Sequence, residues 1–432
     1  MDTLISNATV VTMNERMDVL FDAYIGITEG KISYIGKTAP EEKPATIVDG
    51  TGMVAMPGLI NCHTHLAATA LRGCFDDLPV HEALEQLLQK ESKMDERSAK
   101  AAATLGIAEC LRFGITSVSD LYYWPEAVAE AADEAGIKAN IALSACRYEG
   151  ESEDYDFESD PQQALLSRLV EKWQGHGRIR IDAGLHAEYT SNHQLWEGLA
   201  AFAAEKGLGF QLHLSQAGEE VDSCLDRTGL APAEILNCHG ILNLPVTAAG
   251  CGALTEEEMA LLGKRKATAV CLPVEDGRAG RKSLNVAKCV KAGMNVALGT
   301  GGAVDCGNLD MFEVMRSAAF AQRTQSRKPE AMPAPAVLTM ATVCGASAQG
   351  RKECGMLKEG MDADIILVDF SAPHLMPCHN VLSGLVFSAK GGDVAMTMVQ
   401  GNILYQNGQF PTLDLKKAVE ELTGHAIPTL FQ

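Results

Sequence analysis

Apolar and polar residues alternate along both ends of the chain. The alternation has a period of two over residues 4–11, 23–27 and 31–36, and it returns over 365–369 and 394–405. A period of two between turn residues indicates β-strands with one buried face. Because each end alone has too few strands to bury a face, we expect the two ends to pair into one small β-domain.

The centre of the chain has a different pattern, in which helical segments such as 98–113 and 192–206 alternate with short apolar runs. Eight such runs precede helical segments, and eight repeated β-α units predict a closed barrel. The runs are 54–62, 117–120, 139–144, 179–185, 210–214, 246–249, 267–272 and 295–299. We therefore predict an α/β fold, a (β/α)8 TIM-like barrel with a small β-sandwich domain built from both chain termini.

This fold predicts three segments. Residues 1–55 and 363–432 form the two parts of the β-domain, and 56–362 form the barrel. The acidic stretch 149–161 is poor in aliphatic residues and is predicted to be a loop between the third and fourth units.

The composition excludes several classes of partner. The 432 residues include 56 acidic and 36 basic ones, for a formal net charge of −20, and such a surface repels phosphate backbones and anionic lipids. No apolar run reaches the roughly 18 residues of a membrane span, and the first residues do not have the pattern of a signal peptide. The 13 cysteines include no C-x-x-C pair, which is typical of reduced thiols. We expect a cytoplasmic protein that binds a small molecule and neither nucleic acid nor membranes.

Histidines stand at the ends of several predicted barrel strands. His63 and His65 end the first run in P-G-L-I-N-C-H-T-H, His186 ends the fourth and His213 ends the fifth. Side chains two apart on a strand point to one face, so the first pair can chelate one divalent ion at the barrel mouth. Two ordinary surface histidines explain H-T-H taken alone. The further histidines at neighbouring strand ends favour a metal site.

Five motifs occur in order along the chain: P-G-L-I-N-C-H-T-H, L-R-G, H-A-E-Y-T, H-L-S and L-D-M-F. In these motifs the chain resembles the amidohydrolase superfamily, and within it the branch of S-adenosylhomocysteine/5-methylthioadenosine deaminases and chlorohydrolases. The resemblance implies one zinc or iron ion held by the H-x-H pair, by a histidine ending strand five and by an aspartate ending strand eight. It also implies a proton-shuttling glutamate three residues after the strand-five histidine, a substrate-contacting histidine on strand six, and a homodimer.

The chain departs from this pattern at three positions. His63, His65 and His213 match the three metal histidines, but the shuttle position is Gln216, the strand-six position is Gly250 and the strand-eight position is Gly301. A primary amide cannot take up and return a proton near neutral pH. Three neutral imidazoles still form a reasonable tetrahedral site, so we expect one divalent metal, zinc or iron, in a weakened site, with loss of the metal as the alternative.

The catalytic candidates are Gln216 and two carboxylates that could replace the missing groups. Asp305 lies four residues beyond Gly301, and Glu220 lies one turn beyond Gln216. Either carboxylate also fits a plain structural role, such as a solvated loop residue or a helix start.

The substrate-binding candidates are His186, Glu91, Arg147, Gly250 and Gly301. The resemblance places His186 at the substrate histidine and Glu91 near the glutamate that binds ribose hydroxyls. Arg147 could hold a carboxylate or be one more rim arginine. The two glycines are expected to leave open volume in the barrel mouth for a larger or differently placed ligand.

The sequence supports a first hypothesis and an alternative. In the first, the chain is a divergent metal-dependent hydrolase of the amidohydrolase family that acts on C–N bonds of a small nitrogenous heterocycle, as a deaminase does, through a hydroxide that the three histidines hold on the metal. In the alternative, it is a catalytically impaired pseudoenzyme that binds a small molecule or a protein partner. Metal analysis distinguishes the two hypotheses, because one bound equivalent supports the first.

Overall fold

The computed structural model describes residues 1–148 and 155–432. The first six residues of the predicted loop 149–161 lie outside this range. The rest of that loop contains a short 3₁₀ turn at Phe157–Ser159 and ends where a helix begins at Pro161.

Strands in the described residues fall into two sheets, one at the chain ends and one in the centre. In chain order they are β1 (Thr3–Val11), β2 (Val19–Thr28), β3 (Lys31–Gly36), β4 (Thr46–Asp49), β5 (Met53–Pro57), β6 (Leu59–His65), β7 (Ile115–Tyr122), β8 (Lys138–Leu143), β9 (Ile179–Leu185), β10 (Phe210–Leu214), β11 (Val246–Gly250), β12 (Thr268–Cys271), β13 (Asn295–Leu298), β14 (Gly301–Gly302), β15 (Ile365–Asp369), β16 (Val394–Val399) and β17 (Asn402–Gln406).

The central sheet is the predicted barrel. Its order is β13-β12-β11-β10-β9-β8-β7-β6-β14, and every neighbouring pair is parallel. Because β13 and β14 are consecutive pieces of one chain segment, the pairing of β14 with β6 closes the ring. The carboxyl ends of parallel strands meet on one rim, which is where barrel enzymes place their chemistry.

The first predicted run, 54–62, contains two strands rather than one. β5 belongs to the sheet of the chain ends and β6 to the barrel. Gly58 joins them where a Cβ would lie only 2.1 Å from the Thr116 side chain, so the chain passes between the sheets through a gap that admits no side chain. The run appeared continuous because both strands are buried.

Helices cover the outside of the barrel and the C-terminal end of the chain. They are α1 (Val80–Glu91), α2 (Glu96–Arg112), α3 (Pro125–Ala135), α4 (Pro161–Trp173), α5 (His193–Lys206), α6 (Gly218–Thr228), α7 (Pro232–Cys238), α8 (Glu256–Lys264), α9 (Pro273–Arg278), α10 (Val286–Lys291), α11 (Ala303–Cys306), α12 (Met311–Ser326), α13 (Ala334–Ala341), α14 (Val343–Ala348), α15 (Val381–Phe387), α16 (Leu415–Glu421) and α17 (Ile427–Phe431). Among the helices of the described residues, none combines the length and the apolar character that crossing a bilayer requires.

The second sheet joins the two chain ends, as predicted. Its order is β17-β16-β15-β5-β1-β2-β3, with β4 also paired to β1, and the antiparallel β5–β15 pair links the N-terminal strands to the C-terminal ones. Alternate residues serve two cores: Ala55 and Ile365 join the sheet's own apolar cluster, whereas Val54 and Ile366 join the barrel's. The first cluster draws residues from β3 and from β16 near the other edge, so the sheet curls around it.

A buried ion-pair group connects the barrel to this sheet. The Lys138 ammonium at the start of β8 lies 2.6 Å from Asp362 and 2.5 Å from Asp364, just before β15, and all three side chains are nearly inaccessible. The domain boundaries at residues 55 and 362 stay predictions.

Candidate metal centre and cavity

Two strand ends bring three histidines together at the barrel mouth. Alternation along β6 places His63 and His65 on one face, and β10 supplies His213. One ring nitrogen from each of the three lies within 4.8 Å of the others, and the Nε2 atoms of His63 and His213 are 3.1 Å apart. The sequence-based expectation that these rings converge is met.

Backbone carbonyls orient two of the three imidazoles. Nδ1 of His65 is 2.7 Å from the Leu121 carbonyl oxygen, and Nδ1 of His213 is 2.7 Å from that of His186. A carbonyl only accepts, so each Nδ1 carries the hydrogen and each Nε2 keeps its lone pair. Such an outer hydrogen bond fixes the tautomer of a metal-binding histidine.

The charge state of the rings also suits a cation. Burial, and then the neighbouring histidines, hold the pKa of His63 and of His213 well below the ordinary value. Both rings are therefore neutral at pH 7, and the neutral imidazole is the form that binds metal. A tetrahedral zinc ion with Zn–N bonds of about 2.0–2.1 Å places its nitrogens roughly 3.3 Å apart, close to the 3.1 Å between His63 and His213. These residues fit a zinc-like divalent ion.

A cavity of about 530 Å³ opens above the histidines. Its walls include six of the predicted site residues, namely His65, Glu91, His186, His213, Gln216 and Asp305. An apolar wall comes from the segment after β6 and from α1. That wall consists of Phe75, Leu78, Leu84, Leu87 and Leu88.

His186 presents a hydrogen-bond acceptor to this cavity. Its Nδ1 is 2.9 Å from Oγ1 of Thr190, and that hydroxyl lies 3.2 Å from the Ala187 carbonyl, to which it donates. The hydroxyl therefore accepts from Nδ1, which leaves Nε2 as the acceptor. Burial, followed by the charge of His65, lowers the pKa of His186 to about 4, so the ring is neutral at pH 7.

Glu91 is the half-buried carboxyl of the cavity wall formed by α1. The Tyr122 hydroxyl donates to its Oε1 at 2.5 Å. Burial raises the pKa of Glu91 to about 7, against the lowering effect of the Tyr122 hydrogen bond. Near neutral pH this group can both donate and accept.

Neighbouring side chains fill the space beside the two glycines. A Cβ on Gly250 would lie 2.4 Å from Cγ of Gln216, and a Cβ on Gly301 would lie 2.2 Å from Oε2 of Glu275. Our expectation of open volume at Gly250 and Gly301 is therefore wrong. Gln216 and Glu275 occupy it, and Gln216 Nε2 donates to Glu275 Oε1 at 3.5 Å.

Asp305 lines the cavity, whereas five of the predicted site residues are not among its lining residues, namely His63, Arg147, Glu220, Gly250 and Gly301. Burial, and then the charge of Glu275, raise the pKa of Asp305. Glu220 accepts the backbone N–H groups of Ser215 at 2.9 Å and of Gln216 at 2.7 Å, which fixes the turn that follows β10. The guanidinium of Arg147 lies 3.9 Å from the centre of the Tyr155 ring.

Comparison with known proteins identifies the family. The model of the family described as "Amidohydrolase family" matches residues 54–404. The chain belongs to the amidohydrolase family. This amidohydrolase is 35% identical over 423 residues to a 5'-deoxyadenosine deaminase of Methanosarcina mazei, covering 97% of this chain and 96% of the relative. It is 34% identical over 432 residues to a 5-methylthioadenosine/S-adenosylhomocysteine deaminase of Pelotomaculum thermopropionicum, covering 98% of both chains.

Solved structures share the fold of this amidohydrolase. An adenosine deaminase from Xanthomonas campestris with bound zinc superposes with a TM-score of 0.92 at 27% identity, covering 98% of this chain and 97% of that one. The atrazine chlorohydrolase TrzN from Arthrobacter aurescens, complexed with zinc, has a TM-score of 0.89 at 25% identity, covering 98% of this chain and 99% of that one.

Sequence reasoning missed several residues that line the cavity of the amidohydrolase. Tyr122 is the last residue of β7 and Tyr123 follows it. Both line the cavity, and their position at a strand end could have indicated this from the sequence. Tyr189 and Tyr123 lie beside His186, with ring centroids 6.0 and 6.4 Å away. These rings give the cavity an aromatic surface. Glu275 stands in no motif, and only the path of the chain after β12 shows where it lies.

Proposed function

We propose that this amidohydrolase is a metal-dependent hydrolytic deaminase of an amino-substituted nitrogen heterocycle, with adenosine-like nucleosides as the first substrates to test. The observation that carries the proposal is the cluster of three imidazoles whose nitrogens lie within 4.8 Å of one another beneath the cavity. The relatives support it, since both named above are adenosine-type deaminases.

The three histidines His63, His65 and His213 would hold the ion. When bound, a divalent metal supplies Lewis acidity that makes water nucleophilic near neutral pH. Zinc is the metal we propose, because imidazole nitrogen suits it and both structural neighbours named above contain it.

The cavity walls would orient the substrate. His186 accepts a hydrogen bond at Nε2 from an N–H group of the heterocycle, while Tyr123 and Tyr189 offer aromatic surface beside His186. Glu91, held by Tyr122, accepts hydrogen bonds from sugar hydroxyls. The apolar wall formed by Phe75 and the α1 leucines suits an uncharged substituent on the sugar.

Proton transfer must use a group other than Gln216, because a primary amide neither ionises nor takes up a proton near neutral pH. Asp305 is our candidate, since it lines the cavity and its raised pKa allows the protonated form to persist at higher pH than in water. Glu220 is assigned a positioning role through the two backbone N–H groups that it accepts.

Ammonia release tests the proposal. Zinc-supplemented protein is incubated with adenosine, 5'-deoxyadenosine, 5'-methylthioadenosine, S-adenosylhomocysteine, guanine and an aminotriazine. We expect ammonia from at least one adenine nucleoside and loss of that activity in His63→Ala. His374→Ala is the matched control, because His374 pairs with Asp393 at the surface, away from the cavity. Protein that carries one equivalent of zinc and releases no ammonia from any of these compounds contradicts the proposal. The homodimer and the cytoplasmic location stay predictions.

A further inference from the structure

Glu275 occupies the place of the side chain that is missing at Gly301. If a Cβ is built on Gly301, its three nearest heavy atoms all belong to Glu275: Oε2 at 2.2 Å, Cδ at 3.3 Å and Cβ at 3.8 Å. The related pattern has its metal-binding aspartate at this strand-eight position. A carboxylate from another element therefore stands where that carboxylate would begin.

Local structure holds Glu275 there. It lies in the first turn of α9, which starts at Pro273 and is separated from the end of β12 by one residue. Glu275 is only 8% exposed. The hydrogen bonds that its side chain accepts within the described residues come from Arg281 and Gln216, and both fall on Oε1. Oε2 is the oxygen that faces Gly301.

We propose that Glu275 supplies the negative charge of the three-histidine centre in place of the strand-eight aspartate. The inference rests on the proposed function, because it requires a metal at the three histidines. A divalent ion held by three neutral imidazoles has no ligand that neutralises its charge, and a buried carboxylate that lines the same cavity provides that neutralisation. Glu275 lines the same cavity as His65 and His213.

Two other carboxylates lie nearby, Asp305 and Asp276, but neither faces Gly301 as Glu275 does. Oδ2 of Asp305 lies 2.7 Å from a Cβ built on Gly302, one residue further along. Asp276 is next to Glu275, but its Oδ1 faces the Nε atom of Arg281 at 3.6 Å. Asp276 therefore gives a matched control: a neighbouring buried carboxylate that also interacts with Arg281 and does not face Gly301.

The first test measures zinc affinity by competition with a chromophoric chelator, for wild type, Glu275→Gln and Asp276→Asn. We expect Glu275→Gln to raise the zinc Kd by about 10- to 100-fold, the range typical for loss of a group that supports a metal site. Asp276→Asn should stay within about threefold of wild type. Melting curves of the zinc-free proteins show whether each variant is folded.

The second test moves the carboxylate from residue 275 to residue 301. Gly301→Asp alone should not tighten zinc binding, because the new side chain meets Glu275, and Gly301 has a φ of +73° that disfavours most side chains. Aspartate tolerates this backbone region better than most residues. With Glu275→Ala the space is free, so the double variant Gly301→Asp/Glu275→Ala should bind zinc at least about tenfold more tightly than Glu275→Ala.

The results separate the two ideas. If wild-type protein binds no zinc, the proposed function fails. If wild type binds zinc but Glu275→Gln and Asp276→Asn change the Kd equally, only the assignment of Glu275 is overturned. The same holds if Gly301→Asp gives an equal gain with and without Glu275.

Discussion

Replacing Gln216 by glutamate restores the shuttle residue of the related pattern, but it places a second carboxylate beside Glu275. The replaced Nε2 is 3.5 Å from Oε1 of Glu275. Two unit charges at that distance repel by about 5 kcal/mol at an effective dielectric constant of 20. Arg281, which pairs with Glu275, offsets part of this. If roughly 2 kcal/mol remains, the pKa of the new carboxyl rises by about 1–2 units in the folded state.

The sign of the effect on stability follows from this rise. A carboxyl whose pKa is higher in the folded than in the unfolded state holds its proton longer when folded, so stability falls as the pH rises between the two pKa values. The penalty of Gln216→Glu should be small near pH 4.5 and complete by pH 8. The unfolding entropy of a 432-residue chain is roughly 0.9 kcal/mol/K at about 2.1 cal/mol/K per residue, so a penalty of about 2 kcal/mol lowers Tm by about 2 °C.

The assay is the melting temperature of zinc-free Gln216→Glu and wild type at pH 4.5 and pH 8, compared with Gln86→Glu. Gln86 lies exposed on α1, so its replacement should give no pH-dependent difference. A deficit for Gln216→Glu that does not grow with pH would refute the placement of Gln216 against Glu275.

Two further changes probe the connection between the sheets and the sugar side of the cavity. Lys138→Met leaves Asp364 buried without its cation, whereas Asp362 keeps its pairing with Lys31. Breaking such a buried pair costs about 3–5 kcal/mol. Thermal denaturation at pH 7 should show a fall in Tm of roughly 3–6 °C, and an unchanged Tm contradicts the pairing. Glu91→Gln removes a charged acceptor worth about 1.5–3 kcal/mol, so steady-state kinetics should show KM for nucleosides rising about 10- to 100-fold. An equal loss with free adenine as substrate contradicts the sugar contact.

Much of the fold could be predicted because apolar residues recur along the sequence with the period of the element whose face they bury. All eight barrel runs contain a strand, and the two chain ends share a sheet. The predictions failed to separate β5 from β6, because an apolar run buried on both faces has no period that marks a change of sheet. The boundary lies at Gly58, where a Cβ would meet the Thr116 side chain, and the strand pairing shows it.

The site was predictable where it depends on residues in a motif. His63, His65 and His213 stand at strand ends with a fixed spacing, and parallel strands bring such ends together. Glu275 could not be predicted in this way, because it lies in the helix after β12 and no motif connects it with Gly301 in β14. Which side chain fills the space left by a missing one depends on how distant parts of the chain pack together.

The most direct test of the central claim is the zinc content of the purified protein, measured by mass spectrometry after supply of zinc and removal of excess ion. Three converging imidazoles predict one equivalent per chain in wild type, and His63→Ala and His213→Ala should each retain far less. Wild-type protein that stays free of zinc, or histidine variants that keep a full equivalent, would contradict the account.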